Sequence, residues 1–265
     1  MSINRDQNNI IRADKHNSLG IELANRGWFD EATKEFNQAI ANMPDYSDAY
    51  DNVASVYCDN KDYLKALEAY AKALALEPNN PYILHNIGCF LSNHAEELAK
   101  KCFTEASQLD DDLYESNFNL GLCFVSEDKH QEAIIEFEKA LNKNNQDTEV
   151  RLHLALSLMS IKKFVQAIKE LRTIIQSENN HDEAWYNLGI CYNEKGFLEE
   201  AYKSFSHALK INPQRIDVML SLASLLIRQK KIKEAKTLIK KSKELNLSET
   251  IQFMEQDEYL FKLSK

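Results

Sequence analysis

The sequence predicts an all-α protein built from seven consecutive helix-turn-helix repeats. Three observations lead to this prediction. A unit of 34 residues recurs along the chain, and its apolar residues follow the i, i+3, i+4, i+7 spacing of a helix face. Two positions of the unit are always glycine or alanine. The remaining glycines and the prolines fall where helices end, turn or begin.

The repeats are numbered so that Asp182 is position 1 of the sixth repeat. The small residue of the first helix, at position 8, is Gly20, Ala54, Gly88, Gly121, Ala155, Gly189 and Ala223. The alanine that opens the second helix is Ala32, Ala66, Ala99, Ala133, Ala167, Ala201 and Ala235. The third repeat lacks one residue, in its turn. The predicted bounds are 13–46, 47–80, 81–113, 114–147, 148–181, 182–215 and 216–249.

The sixth repeat shows the physical reason for the pattern. Gly189 and Ala201 allow two antiparallel helices to approach closely, while larger residues such as Phe205 fill the surrounding volume. Gly196 is expected in the turn with a positive φ, and Pro213 is expected to end the second helix.

The two ends of the chain fall outside the repeats. Residues 1–12 are predicted to form a polar N-terminal arm. Residues 250–265 are predicted to form one C-terminal helix, capped by Ser248, with Ile251, Met254 and Phe261 along one stripe. This helix is expected to cap the stack, because the last repeat would otherwise leave an apolar flank in water.

Composition argues against several classes of protein. The net charge is −9 and the pI about 5.4, which argues against nucleic acid as a partner. No apolar run is long enough to span a membrane, and five cysteines without a C-x-x-C pair indicate free thiols, so we predict a cytoplasmic protein. No catalytic or metal-binding motif is present. We therefore predict no enzymatic activity, no cofactor and no metal.

Eight residues of the sixth repeat form a W-x₂-L-G-x₂-Y…A-x₃-F…P pattern, and these are Trp185, Leu188, Gly189, Tyr192, Ala201, Phe205, Ala208 and Pro213. The pattern resembles the signature of the tetratricopeptide repeat (TPR). The resemblance implies a right-handed solenoid, an α-α superhelix of the seven repeats. It also implies a concave groove formed by the first helices, chiefly at positions 2, 5, 6, 9, 12 and 13.

Asparagine recurs at position 6 of this groove, as Asn52, Asn86, Asn119 and Asn187. The array is similar to the asparagine ladder in the TPR superhelix of O-GlcNAc transferases. That resemblance implies amides that bind the backbone of an extended peptide. The alternative is that these asparagines are solvated or bonded within the protein.

The other groove positions change character along the chain. They are polar in the first three repeats, where His85 is a candidate for partner binding. Apolar candidates follow from the fourth repeat onward, and these are Phe118, Leu122, Leu152, Leu156, Tyr186 and Ile190. We expect an exposed apolar strip that binds a partner or a second copy, unless curvature or the C-terminal helix covers part of it.

The sequence thus predicts a non-catalytic scaffold or adaptor that binds an extended peptide or a helix of a partner protein. One alternative is a self-assembling scaffold, through the apolar groove or through the seventh repeat. That repeat has eight basic and four acidic residues, whereas the first two repeats together have six and twelve. The other alternative is a regulatory or substrate-selecting partner of an enzyme such as a glycosyltransferase.

Overall fold

The computed structural model describes residues 2–92 and 95–264, and the described residues form sixteen α-helices and no strand. The chain divides into two compact units, residues 1–123 and 124–265. The helices are α1 Ser2–Asn25, α2 Phe29–Asn42, α3 Ser47–Asp59, α4 Tyr63–Leu76, α5 Pro81–Leu91, α6 Glu96–Leu109, α7 Tyr114–Ser126, α8 His130–Lys143, α9 Thr148–Ser160, α10 Phe164–Ser177, α11 Asp182–Glu194, α12 Leu198–Ile211, α13 Ile216–Arg228, α14 Ile232–Leu245, α15 Leu247–Gln256 and α16 Glu258–Ser264.

Consecutive helices pack against each other within each unit. In the first unit α1 to α6 make successive contacts, and among the odd-numbered helices α3 also contacts both α1 and α5. In the second unit the same holds from α8 to α14, with α9 touching α11. We call α1, α3, α5, α7, α9, α11 and α13 the first helices, and their successors up to α14 the second helices. This arrangement of sequential helix pairs is the predicted solenoid fold.

The predicted close approach of paired helices is confirmed at three glycines. A Cβ atom added to Gly88 would lie 2.6 Å from the Phe103 ring, and one added to Gly189 would lie 2.5 Å from the Phe205 ring. Gly20 faces Phe36 in the same way, at 2.6 Å. Where position 8 is instead alanine, the residue equivalent to these phenylalanines is Tyr70, Leu171 or Ile239. Phenylalanine at this position accompanies glycine at position 8 in these three repeats.

Six of the turns between paired helices have a left-handed residue at the same position. Gly27 and Gly196 have φ of 77° and 79°, so the prediction for Gly196 is confirmed. Four other residues at the equivalent position also have φ near 60°, although they carry a Cβ, and these are Lys61, Asp128, Lys162 and Lys230. Residues with a Cβ are strained in this conformation, whereas glycine adopts it readily.

We expect Lys61→Gly, Lys162→Gly and Lys230→Gly each to raise the free energy of unfolding by about 0.5–1 kcal/mol, because they remove left-handed strain. Urea unfolding of the triple variant would check this. The matched control is the triple alanine variant, which also removes the lysine side chain but keeps the Cβ. A glycine variant no more stable than the alanine variant would contradict the expectation.

The N-terminal arm is helical. Residues 2–12 belong to α1, which continues to Asn25. No glycine or proline interrupts the sequence within residues 2–12. Most side chains at residues 7–12 are exposed. Met1 lies outside the described residues.

The C-terminal region differs from the single helix predicted for 250–265. It consists of α15 and α16, separated at Asp257, whose extended backbone stops α15. The Asp257 carboxylate caps α16 by accepting hydrogen bonds from the backbone N–H groups of Tyr259 and Leu260, both at 2.9 Å. Asn246, and not the predicted Ser248, caps α15 with its side chain.

The two C-terminal helices pack on the last pair of the second unit. Both contact α13, and α15 also contacts α14. Met254 and Leu260 are buried in the same apolar cluster as Leu220 and Leu222 of α13. Of the predicted stripe, Met254 is buried while Ile251 and Phe261 are exposed. The break at Asp257 lets both helices turn an apolar residue toward α13. A capping role for this region stays a prediction.

Candidate functional site

The predicted asparagines of the first unit lie on a strip of polar residues along the first helices. We call this set the polar strip, and its members are Asn17 of α1, Asp51 and Asn52 of α3, His85, Asn86 and Cys89 of α5, and Asn119 of α7. Asn52, Asn86 and Asn119 are half-buried. Part of each side chain is therefore open to solvent.

Each of these amides is held by the preceding first helix. The Nδ2 of Asn52 donates to Oδ1 of Asn17 at 3.0 Å, and the Nδ2 of Asn86 donates to Oδ2 of Asp51 at 2.7 Å. The Nδ2 of Asn119 lies 3.6 Å from Sγ of Cys89. An amide offers two donors and one acceptor, so these bonds fix its direction without using its whole capacity. Asn187, in the second unit, is buried.

His85 is bonded on both ring nitrogens. Its Nδ1 lies 2.9 Å from Oγ of Ser116, and its Nε2 lies 3.5 Å from Sγ of the exposed Cys89. Burial lowers the pKa of His85, against the opposing influence of Glu115. The residue therefore serves as a neutral, hydrogen-bonded member of the strip near neutral pH.

Asp51 is the most unusual residue of the strip. It is only 8% exposed, and its Oδ2 accepts from Asn86 while its Oδ1 is buried without a hydrogen-bond partner among the described residues. Burial raises the pKa of Asp51 to about 6; the bond from Asn86 opposes this and the charge of Asp48 adds to it. The binding set predicted from the sequence does not include Asp51. The signal that could have identified it is that Asp51 is the one acidic residue at position 5 of the seven repeats.

The apolar candidates are less exposed than the sequence predicts. Phe118 and Leu122 of α7, Leu156 of α9, and Tyr186 and Ile190 of α11 are half-buried. Leu152 is buried, with 8% of its surface exposed. In the second unit, Tyr186 and Ile190 pack against the cluster that contains Leu220. That packing accounts for the partial burial of Tyr186 and Ile190.

Tyr186 also takes part in polar contacts. Its hydroxyl lies 3.4 Å from Oγ of Ser221 on the next first helix, and the Arg215 guanidinium lies 4.7 Å from its ring centroid. Arg215 in turn pairs with Asp182 and Asp217. Burial raises the pKa of Tyr186, so its hydroxyl stays protonated near neutral pH.

Two clefts between second helices were not predicted from the sequence. In the first unit a cleft of about 590 Å³ lies between α2 and α4, over Tyr50, Val53 and Tyr57 of α3. The equivalent cleft over α11 in the second unit measures about 310 Å³. Ala71 and Ala75 line the larger one. In the second unit His207 takes the place of Lys72 and stacks on Trp185 of the smaller cleft, with ring centroids 4.2 Å apart.

Metal-ligating side chains do not cluster in the described part of the chain. Among residues 2–92 and 95–264, no group of three or more histidine, cysteine, aspartate or glutamate side chains is placed to hold a metal ion. All five cysteines are free. None of the helices that the structure describes is both long and apolar enough to cross a membrane.

The sequential helix pairs, their small contact positions and their recurring turn define a TPR solenoid protein. The family model described as the coatomer epsilon subunit matches residues 22–224, and the chain belongs to that family. A TPR repeat-containing protein of Methanocaldococcus jannaschii is 27% identical over 258 residues, which cover 92% of this chain and 44% of that protein. The chain thus spans less than half the length of this relative.

Solved structures show the same fold. PilF of Pseudomonas aeruginosa superposes with a TM-score of 0.70 at 24% identity, over 85% of this chain and 99% of that chain. YrrB, described as a TPR protein with an unusual peptide-binding site, superposes with a TM-score of 0.60 at 21% identity, over 67% of this chain and 92% of that chain. At these identities the likeness establishes the fold alone.

Proposed function

We propose that this chain is a scaffold that binds an extended segment of a partner protein along its first helices. The observation that carries the proposal is the set of three half-buried amides, Asn52, Asn86 and Asn119, each held by a residue of the preceding first helix. A backbone peptide group presents one donor and one acceptor per residue. Amides with a fixed direction and unused hydrogen-bonding capacity are suited to meet them, because little side-chain freedom is lost on binding.

The likeness to known TPR proteins supports the general class of function. TPR proteins are generally protein-interaction scaffolds, and YrrB is described as having a peptide-binding site. We extend this to the present chain as a non-catalytic protein. Its five free thiols favour a reducing compartment, and a cytoplasmic location is part of the proposal.

The apolar candidates have a separate role in the proposal. In the first unit, Phe118 and Leu122 would contact side chains of the bound segment. The second unit has half-buried apolar residues of its own, Leu156, Tyr186 and Ile190, which would contact side chains of a segment bound to that unit. Such contacts give selectivity for particular side chains, whereas the amides bind any backbone. Leu152 contributes to packing in this proposal, because little of it reaches solvent.

A displayed library of random 15-residue peptides, selected for binding to the full chain, would test the proposal even while the natural partner is unidentified. We expect Asn119→Ala to weaken the selected peptides by about 2- to 13-fold, the equivalent of one net hydrogen bond of 0.5–1.5 kcal/mol, whatever their sequence. We expect Leu122→Ala, also in the first unit, to weaken only some of them. Fluorescence anisotropy with labelled peptides measures both effects.

The matched control is Asn142→Ala, which makes the same substitution at an exposed residue of a second helix, α8. It should leave every affinity unchanged. The proposal fails if no peptide is selected, or if a variant with Asn52, Asn86 and Asn119 all changed to alanine binds as well as the wild type. A partner that binds as a helix has its backbone already bonded, so only the apolar substitutions would then weaken it.

A further inference from the structure

We propose that Asp51, together with Asp48, forms a subsite for a lysine or arginine side chain of the bound segment. This inference rests on the proposed function and specifies the chemistry of the partner. It places a positive charge of the partner at α3 and α5, in the first unit.

The first support is a hydrogen-bonding deficit. Asp51 is more than nine-tenths buried, yet its Oδ1 has no partner among the described residues, and its Oδ2 accepts only from the uncharged Asn86. Buried polar atoms are paired in the great majority of cases, and a buried carboxylate is normally met by a cation or by several donors. In this proposal the donor of the bound segment reaches the carboxylate from the 8% of Asp51 that is exposed.

The second support is the charge around Asp51. Asp48, one turn earlier on α3, adds negative charge to the site, and Glu77 adds more beside Asp48. Tyr70 of α4, also in electrostatic contact with Asp51, is neutral, since burial raises the pKa of its hydroxyl. No lysine or arginine of the described residues forms an ion pair with Asp48 or Asp51. The first three predicted repeats also carry none at the groove positions. The site therefore has negative charge and no internal counter-ion among the residues that the structure describes.

The third support concerns the kind of cation. The described residues offer no set of three metal ligands here, so a bare metal ion would find too few partners. An ammonium or guanidinium group brings its own N–H donors to the unsatisfied oxygen and its own charge to the carboxylates. A side chain of this kind also extends from a peptide backbone held by Asn52 and Asn86, which flank Asp51 on α3 and α5.

The test repeats the library selection with the wild-type chain and with Asp51→Asn. We expect lysine or arginine at one fixed position of the peptides selected by the wild type, and no such preference for the variant. A selected lysine peptide should bind the variant at least tenfold more weakly than the wild type. The same peptide with norleucine in place of lysine should bind both proteins equally.

Asp45→Asn is the matched control, because Asp45 is an exposed carboxylate in the turn before α3, outside the groove positions. It removes the same charge and should leave the preference for lysine intact. Circular dichroism of both variants checks that they are folded. If the wild type distinguishes neither lysine nor arginine from norleucine, the inference is wrong. If the selected peptides still depend on Asn119 when they show no preference for lysine or arginine, the proposed function holds and only the cation subsite is wrong. If no peptide is selected, the proposed function and the cation subsite are both wrong.

Discussion

Replacing Gly189 with leucine is expected to lower the free energy of unfolding by about 3 kcal/mol, the upper end of the usual range for an overpacked core. Three ring atoms of Phe205 lie within 3.1 Å of the place where a Cβ would be, so a larger side chain must displace a fully buried ring. The helices α11 and α12 would separate at their closest contact. Urea unfolding followed by circular dichroism measures the change.

A double-mutant cycle identifies the cause. Gly189→Ala combined with Phe205→Leu reproduces the pair Ala155 and Leu171 that the fifth repeat carries at the equivalent positions. Once the ring is gone, the added methyl group should stabilise α11, because alanine is a better helix former than glycine by about 1 kcal/mol. We expect a favourable coupling of at least about 1 kcal/mol between the two changes. A coupling near zero would show that the ring and the glycine do not compete for the same volume.

The sequence could predict this contact because it depends on one repeat. Gly189, Phe205 and Gly196 occupy fixed positions in a helix-turn-helix unit, so local spacing determines which side chains meet and which residue must turn with a positive φ. The pattern of small positions also identified the helix pairs. These features follow from helix periodicity and steric exclusion alone.

Properties that depend on the distance between neighbouring repeats could not be predicted in this way. The pairing of Asn86 with Asp51 and the contact of Tyr186 with Ser221 both join consecutive first helices, so they depend on how closely those helices pack. The break between α15 and α16 also depends on packing against another helix, here α13. Asp257 is compatible with a helix interior, and the helix stops there because Leu260 is then buried in the cluster that contains α13.

The predicted binding role of the asparagines depends on such a property as well. Their recurrence at position 6 was compatible with ligand binding or with bonding inside the protein. The structure shows bonding inside the protein for one N–H donor of each of Asn52, Asn86 and Asn119. The two roles are compatible, because a side chain already oriented by one hydrogen bond has less freedom to lose when a ligand takes the others.

Asp51→Asn is expected to stabilise the chain at pH 8 by about 1–3 kcal/mol, from the cost of the raised pKa, and to change its stability little at pH 3.5. The pKa of Asp51 is raised from 3.8 to about 6 in the folded protein by burial and by Asp48, against the hydrogen bond from Asn86. Between these two values the folded state holds more protons than the unfolded state. The contribution of Asp51 to the stability of the wild type should therefore fall as the pH rises from about 4 to about 6, and then level off.

Asparagine keeps an acceptor for Asn86 and carries no charge, so the variant should lack this decrease. A rise in the pKa of Asp51 from 3.8 to about 6 corresponds to about 3 kcal/mol, which sets the upper limit of the gain. Unfolding by urea at pH 3.5, 5, 6 and 8, for the wild type, Asp51→Asn and the exposed control Asp45→Asn, measures the difference. A difference between wild type and Asp51→Asn that does not vary with pH would show that Asp51 is not the titrating group. A gain in stability at pH 8 combined with loss of lysine peptides would instead show that the chain keeps a destabilising buried carboxylate because its partner needs it.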